Sequence, residues 1–161
     1  MRVSPKLVWT ILPLLVGLAT PSAVILWLEL FVAHTSLASA IVDLARRQFA
    51  EGENLFLLAL FGLIPFALLS VTSFVAARFV SGRRLACISS GGLIGILAFM
   101  VPAHVSVWYP LYGGGHMSST AVIAFLFIPF YCVATLVVGL LIGLAISFLP
   151  FLRHETPPIS D

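Results

Sequence analysis

The sequence predicts an all-α membrane protein, a four-transmembrane-helix bundle with an outer amphipathic helix between spans one and two. Three observations lead there. Of the 161 residues, 61% are hydrophobic and only 9% charged, and the mean hydropathy is +1.16; a soluble domain carries about 25% charged residues. The apolar residues gather into runs near the roughly 20 residues that cross a bilayer core. Those runs are almost free of ionisable groups: Glu29 is their only acidic side chain, and it stands at the end of the first.

Residues 1–152 read as one integral-membrane helical domain, followed by a short polar tail at 153–161 that is expected to be cytoplasmic. The first span is expected from about Leu7 to Phe31. Arg2 and Lys6 ahead of an apolar run resemble a signal peptide. However, the run continues past Ala23, and Pro21 spoils the best small-residue cleavage site, so the segment is expected to be a retained span. Between Ser36 and Ala50, Leu37, Ile41, Leu44, Ala45 and Gln48 share one helical face, while Asp43, Arg46 and Arg47 lie on the other. That pattern predicts an amphipathic helix at the outer membrane surface, whose apolar face can meet lipid, a partner or the chain's own bundle, the last being the default expectation. The polar residues Glu51 to Asn54 end it.

The second span is expected at 55–79, the third at 85–108 and the fourth at 118–149. The fourth would be about 48 Å long if straight, more than a core of roughly 30 Å requires. Prolines occur in every span (Pro13, Pro21, Pro65, Pro102, Pro129). Each removes a backbone donor and marks a place where the helix can bend.

Orientation follows from the basic residues, which favour cytoplasmic connections. Six of them (Arg2, Lys6, Arg78, Arg83, Arg84, Arg153) fall on one side and two (Arg46, Arg47) on the other. Both termini are therefore expected in the cytoplasm, with a bacterial inner membrane the expected location. Trp9, Trp27, Trp108, Tyr109 and Tyr112 lie near span ends and read as headgroup-level anchors.

Three sets of residues stand out as candidate sites. Gly91 and Gly95 in span three, and Gly139 and Gly143 in span four, repeat every four residues. Small residues at that spacing let another helix approach closely, so these are helix-packing candidates. Gly113, Gly114 and Gly115, with Ser118 as a possible helix cap, form a turn whose N–H groups could meet an anion or lipid headgroup. A tight connecting turn is the plainer expectation. On the inferred topology, Glu29, His34, His104 and His116 fall near one outer depth. Imidazole with carboxylate suits zinc, imidazole with the thioether of Met100 or Met117 suits copper, and paired imidazoles suit haem. Separate hydrogen-bonded histidines are the plainer reading. Cys87 and Cys132 lie in apolar runs and read as packing residues.

No phosphate loop, nucleophile elbow or zinc-protease motif occurs in the sequence. A formal net charge of +2 is too small to point to nucleic acid as a partner. The leading expectation is a non-catalytic accessory or structural subunit that packs against other membrane-protein subunits and lipid, without a cofactor. The alternatives are a self-assembling small pore or carrier, and an outer-side metal- or haem-binding protein. A pore needs a polar stripe through the membrane, and Ser70, Thr72 and Ser73 supply only a short patch.

Overall fold

Hydrocarbon offers a backbone no hydrogen-bond partners, so each apolar run closes its own ladder as a helix. A computed structural model describes residues 5–49, 54–115 and 121–149. Within them the order is α1 (Pro5–Phe31), α2 (Leu37–Arg47), α3 (Leu55–Ala76), α4 (Gly82–Tyr112) and α5 (Ala121–Ser147). Four of these, all but α2, are long and apolar enough to cross a membrane. The chain is a helical integral-membrane protein.

Local chemistry sets the boundaries. Ser36 caps α2, its hydroxyl accepting from the Ser39 N–H at 3.3 Å. Asn54 caps α3 through the Leu57 N–H at 2.9 Å. α3 stops at Ala76, three residues before the expected end, because a tighter turn takes over: the N–H groups of Arg78 and Phe79 bond to the carbonyls of Val75 and Ala76. Among the described residues the longest helix is α4, whose 31 residues give about 46 Å. It runs through both Pro102 and Pro110 to Tyr112, where the Gly113 N–H closes on the Tyr109 carbonyl at 2.9 Å. The described part of the last span is 27 residues. Prolines within membrane helices are tolerated because neighbouring groups re-satisfy the ladder, and Pro13, Pro21 and Pro65 are fully buried here.

The strongest pairings are α4 with α5 and α1 with α3. Further contacts join α1 to α4 and α3 to α5, so the helices run α1–α3–α5–α4 around the bundle. α3 and α4 face each other across the interior, and the Ser73 and Ser89 hydroxyls meet there at 2.7 Å. The core has two parts. One packs Phe66 and Leu69 of α3 against Ile96 and Met100 of α4 and Ile128, Cys132 and Leu136 of α5. The other packs Val24, Ile25 and Leu28 of α1 against Leu55 and Trp108, with Leu44 of α2 at its margin.

Candidate functional site

The clearest polar constellation lies at the end of the bundle that α2 covers. The buried residues of α1 recur three or four apart (Gly17, Thr20, Val24, Leu28), and Pro21, Ile25 and Glu29 follow the same turn of the helix. Glu29 is therefore carried inward and is only 4% exposed. Its Oε1 meets two groups from elsewhere in the chain. Arg47 of α2 brings its Nε to 3.9 Å, and the Tyr112 hydroxyl of α4 donates from 3.5 Å, the long limit for such a bond. The Arg47 guanidinium also lies over the Tyr112 ring, 5.6 Å from its centre. A second tie runs beside it, from Gln48 Nε2 to the Ser22 hydroxyl at 3.1 Å. The Glu29 carbonyl accepts from both the N–H and the hydroxyl of Thr35, at 3.0 and 2.8 Å, which fixes the corner leading into α2. Together these contacts fasten a surface helix to two membrane spans.

This arrangement rotates α2 relative to the face read from its sequence. Ala40 is fully buried, Leu44 packs on the core and Arg47 turns toward the bundle, whereas Leu37 and Ile41 are more than half exposed. Charge explains the difference. A buried carboxylate needs a nearby cation, and satisfying Glu29 draws Arg47 in at the expense of the outer apolar residues.

Deeper on the same face of α4, Trp108 stands one turn below Tyr112 and His104 one turn below that. Both are buried, at 3% and 2% exposure, and both rings pack on Phe125 of α5, at 5.2 and 5.6 Å. Trp108 is thus a core residue rather than a headgroup anchor; Trp27 and Tyr109 are exposed. Glu29 Oε2, His104 Nδ1 and Trp108 Nε1 are buried without a hydrogen-bond partner among the described residues.

Of the outer metal set, the three members within the described residues, Glu29, His34 and His104, are not brought together. His34 sits at an exposed corner with φ +55°, His104 is two turns of α4 below the Glu29 contact, and no three His, Cys, Asp or Glu side chains among the described residues come together to hold a metal ion. His116 lies outside the described residues, as does Ser118 of the glycine turn. Of that turn, Gly114 has φ +81° and the Gly115 N–H bonds to the Pro110 carbonyl at 2.7 Å. The conformation requires glycine at 114 and spends one N–H on the chain itself.

The four repeated glycines lie where α4 meets α5. A Cβ on Gly91 would fall 2.8 Å from Gly143 Cα, one on Gly95 3.1 Å from Gly139 Cα, and one on Gly143 3.0 Å from Ile88 Cα. Sequence reasoning missed a similar contact in the other pair: a Cβ on Gly17 would fall 2.6 Å from the Phe66 ring. The clue was available, because Gly17, Thr20 and Pro21 interrupt the bulky residues of span one at helical spacing. Arg47 and Tyr112 as partners of Glu29 carried no comparable sequence signal. The polar patch of α3 is divided. Ser70 and Ser73 are buried, while Thr72 turns outward and bonds to the Leu68 carbonyl at 2.7 Å. Comparison with known protein families, characterised proteins and solved structures finds no match to this chain.

Proposed function

We propose that the chain is a non-catalytic subunit of a larger integral-membrane assembly and that α2 is its principal contact outside the spans. The supporting observation is the two-sided character of α2. One side is tied to the bundle through Ala40, Leu44, Arg47 and Gln48, while Leu37, Ile41 and Val42 stay at least half exposed and Phe49 is 73% exposed. A helix held rigidly with a second apolar face outward suits recognition of another subunit, because little ordering entropy is lost on docking. The basic residues favour both termini in the cytoplasm, for a bacterial protein in the inner membrane, which puts α2 and the Glu29 contact on the outer side. Mass measurement after mild-detergent purification tests the assembly. A hetero-complex that is lost in Leu37→Asp/Ile41→Asp supports the reading; a monodisperse monomer or homo-oligomer of the parent overturns it. Reporter fusions at residue 161 and in the Gly113–Gly115 turn test the orientation, and an external C-terminus overturns it.

A further inference from the structure

The glycine contact between α4 and α5 has an outward side. With the helix backbones close together and no side chains on Gly91, Gly95, Gly139 and Gly143, the line between the helices remains open as a groove of about 850 Å³. Its walls are apolar, formed mainly by Ile94, Val138 and Ile142. Along α4 the groove extends from Ala86 to Phe99, about 20 Å. One leaflet of a roughly 30 Å hydrocarbon core has a similar depth.

Among the described residues, only one end of this groove is basic. Arg83 precedes Cys87, Ser90 and Gly91 by four, seven and eight residues, so it stands on the helix face that lines the groove. Arg84 lies over the ring of Phe148, 5.3 Å from its centre, two residues beyond the groove residue Ile146 on α5. Arg83 and Arg84 are both exposed. They also occupy the first turn of α4, where unpaired N–H groups add positive potential. The charge therefore sits at headgroup height above an apolar channel one leaflet deep. Basic pockets between membrane helices bind acidic lipid headgroups in this way.

We propose that the α4–α5 groove is a binding site for an anionic phospholipid, with one acyl chain along the four glycines and the phosphate at Arg83 and Arg84. The lipid completes the packing that the glycines leave open, and the arginines select its headgroup. A zwitterionic lipid would fill the channel without using the charge.

Native mass spectrometry of the detergent-purified protein tests this, with phosphatidylglycerol and phosphatidylcholine of the same acyl chains added in competition. The expected result is at least a tenfold preference for phosphatidylglycerol, lost in Arg83→Ala/Arg84→Ala. Ala98→Leu, which fills the far end of the channel, should weaken retention of both lipids, while glycerol phosphate without acyl chains should not bind. Equal retention of the two lipids, an undiminished preference in the double variant, or a dimer carrying no lipid would overturn the proposal. Both arginines are exposed and Ala98 faces outward, so circular dichroism and melting of the variants should match the parent.

Discussion

Gly139→Ala adds one methyl group where α5 touches α4. The new Cβ would lie 3.0 Å from the carbonyl carbon of Gly91 and 3.1 Å from the Cα of Gly95, with the Gly91 oxygen nearer still. Carbon atoms rest about 3.5–4.0 Å apart, so the helices must separate by roughly 0.5–1 Å at this point. No rotamer change can absorb the strain, since the obstructing atoms belong to the backbone of α4. Separation also loosens Gly95 against Thr135 and Gly143 against Cys87, which share the seam. Overpacking of this kind costs about 1–3 kcal/mol, while alanine in a helix interior regains about 1 kcal/mol over glycine. A net loss of about 0–2 kcal/mol is expected, against a gain for a glycine that is not in the seam. Gly62→Ala provides the comparison, because its nearest neighbour would be Met100 Cε at 3.9 Å, an ordinary contact. That variant should be neutral or more stable by up to about 1 kcal/mol. Denaturation in mixed micelles, followed by far-ultraviolet circular dichroism, measures both. If Gly139→Ala proves as stable as Gly62→Ala, close backbone approach does not hold α4 to α5 and the reasoning fails.

Other perturbations test the remaining contacts. Glu29→Ala removes the acceptor shared by Arg47 and Tyr112 and should cost about 1–3 kcal/mol; hydrogen exchange should rise in 37–47 before it rises in α1 or α3, and unchanged protection of α2 would refute the fastening role. Ser73→Ala strands the buried Ser89 hydroxyl and should cost about 1–2 kcal/mol, whereas Ser73→Ala/Ser89→Ala should recover part of that loss; strict additivity in the double-mutant cycle would show that the pair is not coupled. Gly114→Ala forces a side chain into a left-handed conformation and should lower stability by about 1 kcal/mol, read as a reduced melting midpoint in detergent.

Hydropathy makes the four spans legible because backbone in hydrocarbon has few forms available. Which face of each span looks inward is far less legible. Lipid tails are as apolar as a protein core, so burial imposes little pattern on a membrane helix. Trp108 illustrates this: near a span end it reads as an anchor, yet it is core. The inward direction of Glu29 could have been read only from its register with Gly17, Pro21 and Ile25. In α2, water on one side does impose a pattern, and the helix is legible from it, but the pattern could not show that a distant carboxylate draws Arg47 across the expected boundary. α4 runs past the expected end at 108 and through Pro110, a residue that breaks helices in water and is tolerated in a bilayer.

The pairing of α1 with α3 and of α4 with α5 divides the molecule into two helical hairpins. Each contains its own glycine seam, Gly17 beneath Phe66 in the first and Gly91 against Gly139 in the second. During synthesis the first hairpin can close, with α2 seated on it, before the second has left the ribosome. The connection at 77–81 then has only to join two preformed units, whose docking is registered by Ser73 and Ser89. A chain severed in that connection and expressed as two fragments retains the Gly17 and Gly91–Gly139 seams within its fragments and loses only the covalent link across the Gly92–Leu69 contact, so its halves should recombine in the membrane into the parent bundle.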